Sequence, residues 1–194
     1  HRYIRRQRQM CIRDRAQMII KEDGYEEGID YLSAKFNKIK NPNLKMVFDI
    51  ANFYKNAKKY EKAIDYYTQI ISSLSDKSDM RSDLLYRRGG SYERLGNYEK
   101  SDEDLLHSLR INPDDAYVLN YLAYSWLERD YKIDEAFQML EKAYATKSED
   151  PYIIDSIGWA YYLIDNYVEA EKYLKRAVEL MPEDPVVNLS LIHI

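Results

Sequence analysis

One phrase recurs along this chain at a nearly constant interval, and that recurrence limits its fold more than any other feature. An aromatic, charged residues and then a small residue appear as Gly24-Tyr25-Glu26-Glu27-Gly28, Lys59-Tyr60-Glu61-Lys62-Ala63, Asn97-Tyr98-Glu99-Lys100-Ser101 and Asn166-Tyr167-Val168-Glu169-Ala170. Asp134-Glu135-Ala136 fills the same slot once more. The small residues Gly28, Ala63, Ser101, Ala136 and Ala170 are spaced by 35, 38, 35 and 34 positions. Four residues after each stands a bulky one: Leu32, Tyr67, Leu105, Leu140 and Leu174. Upstream, Ala16, Ala51, Gly89, Ala123 and Gly158 are each followed three residues later by Ile19, Tyr54, Tyr92, Trp126 and Tyr161. Self-similarity at this period marks an array of stacked supersecondary units.

Each period holds two runs in which apolar residues fall three and four apart, the spacing of an amphipathic helix pair. The small residues let the two helices approach, and the aromatic one turn later fills the space between them. A single pair leaves apolar surface uncovered, so neighbouring pairs must stack. Helix starts are marked by Asp150-Pro151 and Asp184-Pro185, which place a carboxylate at the cap and proline in the first turn. Asn43 before Leu44, and Asp114 or Asp115 before Ala116, give the same signal. Pro113 and Pro182 follow helix ends. The expected helices end near 22 and then cover 25–37, 44–57, 60–73, 83–95, 98–110, 116–129, 133–146, 151–164 and 167–180, with a further start at Pro185. Ser72 to Ser82 is rich in Ser and Asp and reads as a longer connector, which accounts for the spacing of 38. Six glycines and five prolines are few for a fold built on tight β-turns.

The run Ile154-x2-Ile157-Gly158-x2-Tyr161, then Ala170-x3-Leu174, Ala177 and Pro182, resembles the tetratricopeptide repeat (TPR). A second copy runs from Leu85 through Gly89, Tyr92, Gly96, Tyr98, Ser101, Leu105, Ser108 and Pro113, departing at Arg88, where the family prefers Leu. The resemblance covers 16–188. It implies an all-α fold, an α-solenoid of antiparallel helix pairs forming a right-handed superhelix. The implied units are about 16–43 (truncated), 44–81, 82–115, 116–150 and 151–184, with the start of another at 185.

The two ends differ in character. Residues 1–15 carry six arginines and one acid, and Met10-Cys11-Ile12-Arg13-Asp14-Arg15 together with Leu189-Ser190-Leu191-Ile192-His193-Ile194 resemble translated sequencing-adapter read-through. Residues 1–15 and 189–194 are therefore expected to be non-native tails, and 16–188 a fragment of a longer array. The rival reading of 1–15 is a basic arm for an anionic surface. Without those six arginines and one aspartate, the formal charge of −4 becomes −9.

Little in 16–188 suggests chemistry. The chain's single cysteine is Cys11, and His107 is the one histidine between the tails, so no zinc site of the usual ligand type is expected. Gly89-Gly90 lies inside a helical run, not between strand and helix, so it is no phosphate loop. Glu169, Glu171 and Glu179 alternate with Lys172, Lys175 and Arg176, as on a solvated helix face. No catalytic group, metal or cofactor is expected. No apolar run approaches the roughly 18 residues of a membrane span.

The resemblance implies that the first helix of each unit lines a concave groove, and that a protein or peptide partner is held there. The family's groove positions include Tyr86 and Arg87 in the third unit, Tyr117, Asn120, Tyr121, Tyr124 and Glu128 in the fourth, and Asp155, Trp159 and Tyr162 in the fifth; of these all but Glu128 are the candidate binding residues. Tyrosine and tryptophan offer contact area at small entropic cost, and Asn can pair with a peptide backbone as donor or acceptor. Tyr54, Tyr92, Trp126 and Tyr161 occupy packing positions and are expected in the core. Of the clamp with which one TPR subtype grips chaperone C-termini, Asn52 is kept while Phe48, Arg87, Tyr117 and Tyr121 replace its other residues. The resemblance thus stops short of that function. The expected role is a non-catalytic interaction scaffold or adaptor. Alternatives are the regulatory TPR region of a larger enzyme or signalling protein and an RNA-binding helical repeat, the last disfavoured by the acidic charge. Units from 117 to 182 look like those of bacterial envelope or assembly proteins, which leaves periplasm, cell envelope and cytoplasm open.

Overall fold

A computed structural model describes residues 2–192, with side chains from Ile12 onward, and among them every regular element is an α-helix. In order these are α1 (Arg2–Glu22), α2 (Tyr25–Phe36), α3 (Leu44–Asn56), α4 (Tyr60–Ile71), α5 (Asp79–Arg94), α6 (Tyr98–Ile111), α7 (Ala116–Leu127), α8 (Ile133–Thr146), α9 (Pro151–Leu163), α10 (Tyr167–Leu180) and α11 (Pro185–Ile192). The cap residues act as their chemistry suggests. Asn43 accepts from Met46 N at 2.9 Å. Asp115 accepts from Tyr117 N and Val118 N, Asp150 from Tyr152 N and Ile153 N, and Asp184 from Val186 N and Val187 N. Each bond satisfies an amide that has no partner inside its helix.

The tight turns inside the hairpins share one device. The backbone carbonyls of Ile19, Tyr54, Tyr92, Trp126 and Tyr161 accept from the amides of Gly24, Lys59, Asn97, Tyr131 and Asn166, five residues on, at 2.9–3.3 Å. A left-handed residue makes this closure possible. Gly96 supplies it without strain at φ 73°, and Lys58, Asp130 and Asp165 adopt it despite a Cβ, whereas in the first turn the positive φ, 109°, falls on the donor Gly24 itself. The recurring large residue therefore packs with its side chain and ends its helix with its carbonyl.

The chain divides into two compact units. In the first, up to Ile111, α1 pairs with α2, α3 with α4 and α5 with α6, while α2 packs on α3 and α4 on α5. Its core holds Ala16, Ile29, Val47, Ile50, Ala51, Tyr67, Ile70, Leu84 and Leu85. At Gly89 the helices are so close that an added Cβ would lie 3.0 Å from Leu105 Cγ and 3.3 Å from Asp104 Cβ. Arg88, the departure from the family pattern, donates to buried Asp104 through Nε and Nη2, both at 2.7 Å, and to Thr68 through Nη1 at 2.9 Å. An ion pair thus takes the place of an apolar contact. Burial opposes the Arg88 charge, but the hydrogen bond and charge of Asp104 outweigh it and raise its pKa.

In the second unit, from Asn112, α7 pairs with α8 and α9 with α10. The first helices α7 and α9 also touch directly, and α11 packs on α9 and α10. Ile153, Ile154, Ile157, Leu122, Ala123, Leu140 and Leu174 are buried. An aromatic cluster joins the two hairpins: Phe137 meets Tyr161 edge-on at 4.8 Å, Tyr161 stacks on Tyr173 at 5.4 Å, and Tyr144 meets Tyr173 edge-on at 5.5 Å.

Two expectations need adjustment. Helix α5 begins at Asp79, four residues early, because Arg81 reaches back to the carbonyls of Ile71 and Leu74 and to Asp76, fixing the connector in a short form. Tyr54 and Trp126 are buried, but Tyr92 and Tyr161 are half-buried; Arg88 and Lys100 lie over the Tyr92 ring. Helix α1 runs without interruption through Arg15 and Ala16. Of the terminal segments read as non-native, His1 and His193–Ile194 lie outside the described residues.

Candidate partner-binding strip

The second unit carries most of the expected binding residues. Asp150 and Pro151 set the start of α9, and this fixes which side chains share a face: Asp155, Trp159 and Tyr162 follow one another at helical spacing. On α7 the same logic aligns Tyr117, Asn120, Tyr121 and Tyr124. Trp159 Nε1 donates to Glu128 Oε1 at 2.9 Å, which ties α9 to the end of α7. Tyr162 stacks on Trp159 with centroids 5.0 Å apart and an interplanar angle of 25°. Tyr167, at the start of α10, meets Tyr162 at 5.8 Å and donates to Asp165 at 2.6 Å.

Tyr124 lies within reach of this group. Burial raises its pKa to about 12, helped by the negative charges of Glu128 and Asp155 and by a hydrogen bond to Glu128. Trp159, Tyr162, Tyr124, Glu128 and Asp155 therefore form one constellation. Tyr121 is half-buried on α7. Tyr117 stands at the open end, half-exposed, with Lys147 Nζ 5.3 Å from its ring centre.

Two polar side chains here lack a protein partner at one oxygen. Asp155 is 7% exposed, and its Oδ1 accepts no hydrogen bond; Oδ2 takes one from Ser190 at 3.3 Å. Burial and the nearby Asp184 push its pKa up to about 6, against the opposing effect of Ser190. Asn120 Oδ1 is buried and unpartnered too.

Tyr86 and Arg87 lie in the first unit, on α5. Tyr86 is half-buried. Arg87 is used internally: Nε donates to Asp83 at 2.9 Å and the guanidinium lies 5.3 Å from the Phe48 ring centre. Beside it Lys55 has a lowered pKa, from burial and from the Arg87 charge, with Asp83 opposing. Asn52 accepts from the buried Tyr67 hydroxyl at 2.7 Å.

Residue-by-residue reading of groove positions missed Glu128 as the bridging acceptor, and also Tyr167, Asp184 and Ser190. Glu128 stood at a groove position, but its partner Trp159 is 31 residues away, and helical spacing does not show such a bond. Among the described residues no group of three or more His, Cys, Asp or Glu is placed to hold a metal. No helix there is long and apolar enough to cross a membrane.

Comparison with known proteins adds an independent finding. A family model described as Tetratricopeptide repeat matches residues 44–73, 82–115 and 153–184, close to half of the chain. The chain is 33% identical to a TPR repeat-containing protein of Pseudomonas aeruginosa over 103 residues, 53% of this chain and 18% of that protein. It is 29% identical to the BBSome complex member BBS4 of Bos taurus over 136 residues, 69% of this chain and 25% of that protein. The chain thus spans a quarter or less of the length of these relatives. Among solved structures, a tetratricopeptide repeat protein from Parabacteroides merdae superposes with a TM-score of 0.72 at 18% identity, covering 96% of this chain and 72% of that one.

Proposed function

We infer that this chain, which belongs to the tetratricopeptide-repeat family, is a non-catalytic scaffold that binds a segment of a partner protein on the α7–α9 strip. The observation that carries the reading is the constellation itself. Four aromatic residues, Tyr121, Tyr124, Trp159 and Tyr162, are presented from two packed helices beside two buried acceptors, Asn120 and Asp155, that the chain leaves partly unpaired. Aromatic anchors with adjacent desolvated polar groups are what concentrate binding energy at an interface. Unpaired buried acceptors are costly in isolation and are relieved by a donor from outside. Tyr86 and Arg87 lie on α5 in the first unit, where Arg87 already has its partners.

The test uses this chain as bait. Proteins captured by the wild type and lost by a Tyr121→Ala/Trp159→Ala variant of equal helicity are the expected result. Equal capture by both removes the strip from the account.

A second reading follows from the short coverage of the relatives: the array is the regulatory region of a longer enzyme or signalling protein. The scaffold role of the strip is common to both readings, and the full-length coding sequence separates them.

A further inference from the structure

The strip's unpaired acceptors and charges point to the chemistry of the occupant. We propose that the α7–α9 strip takes a basic segment of a partner protein, with one Lys or Arg side chain lying against the Trp159 and Tyr162 rings and its cation reaching Glu128 and Asp155. This rests on the strip being a binding surface and adds what it selects.

Three observations converge. Asp155 is more than nine-tenths buried and one of its oxygens has no protein partner, so the site holds a carboxylate that its own chain does not neutralise. An ionised carboxylate in such a place is strongly disfavoured without a cation or several donors. The charges that act on Tyr124 and Asp155 are all negative. Glu128 and Asp155 act on Tyr124, and Asp184 acts on Asp155. Burial is the main cause of the raised pKa of both groups, and these acids add to it. The third observation concerns shape. Trp159 is fixed by its bond to Glu128 and backed by Tyr162, giving an aromatic platform whose edge already carries a carboxylate. A long cationic side chain lays its methylenes on such a ring and its head on the acid, gaining from both. Elsewhere the chain sets lysines over its own rings: Lys132 Nζ lies 4.7 Å from the Trp126 ring centre and Lys147 5.3 Å from that of Tyr117.

Neutral peptides that offer backbone N–H groups are the competing occupant. They satisfy Asn120 Oδ1 equally well but leave the Glu128 and Asp155 charges uncompensated.

A displayed library of random twelve-residue peptides, selected on the immobilised chain, tests the proposal. Enriched peptides should share a Lys or Arg at one position, and their replacement by norleucine or citrulline should weaken binding at least tenfold. Glu128→Gln and Asp155→Asn, both close in shape to the native residue, should each give a similar loss, and raised salt should weaken the wild type more than either variant. Enriched peptides without a basic position that still depend on Trp159 overturn the cation and leave the strip standing. Peptides indifferent to Tyr121→Ala/Trp159→Ala overturn the strip as well. Failure to enrich any peptide also overturns the proposal.

Discussion

Arg88 on α5 and Asp104 on α6 face each other through two parallel hydrogen bonds of 2.7 Å each, at a position where apolar contact is the pattern in neighbouring units. The pair sits beside Gly89, where an added Cβ would press on Leu105 and Asp104, and Arg88 continues to Thr68 on α4. Removing one partner leaves the other charge buried and unmatched. Asp104→Ala is therefore expected to cost about 3–5 kcal/mol. Replacing both, Arg88→Leu/Asp104→Leu, should return stability to within about 1 kcal/mol of the wild type, subject to packing beside Gly89. Urea unfolding of the two variants checks this. A single variant as stable as the wild type would remove the pair from the stability account.

Trp126 is 3% exposed, meets Tyr131 edge-on at 5.5 Å and lies under Lys132. Trp126→Ala should destabilise by about 3–5 kcal/mol through the cavity it leaves. An unchanged thermal midpoint would contradict the packing described.

Gly158 gives a prediction of sign. In an exposed helix Gly→Ala gains roughly 0.5–1 kcal/mol. Here the new Cβ would lie 2.8 Å from Leu174 Cγ and 3.2 Å from Leu174 N, and a backbone atom does not move aside easily. Gly158→Ala should lose about 1–3 kcal/mol instead. A gain in the unfolding midpoint would show that α9 and α10 separate readily.

Asp155 should make stability depend on pH. Its carboxyl is held up at about 6 in the folded chain by burial and by Asp184, against roughly 3.9 when unfolded. The folded state then binds more protons between those values. The contribution is fully present below about pH 4 and is lost as pH rises through about 6, by roughly 3 kcal/mol. Asp155→Asn should flatten that fall. Unfolding midpoints measured at intervals from pH 4 to 7 decide it, and equal slopes in both proteins would contradict the assigned burial.

Much of the fold was legible because its signals are local. The spans of α8 and α10 coincide with those read from apolar spacing, and Asn43, Asp150 and Asp184 cap as their positions suggested. The start of α5 was not legible, since Ser72 to Ser82 has no apolar period and its form depends on Arg81 reaching ten residues back to Ile71. Arg88 read as a departure from the pattern, and only the fold shows Asp104 opposite. The strip divides the same way. Register placed Asp155, Trp159 and Tyr162 on one helical face, but the bond from Trp159 to Glu128 and the contact of Ser190 with Asp155 join residues more than thirty apart.

Partners are proposed to meet this chain on the α7–α9 strip. Site-specific photo-crosslinking tests it most directly, with a benzophenone side chain placed at Tyr121, at Trp159 and, on α10, at Val168, which is 78% exposed and lies outside the strip. Adducts with the same partner are expected from the first two positions and none from the third; adducts from Val168 alone, or equally from all three, would rule out the strip as the binding surface.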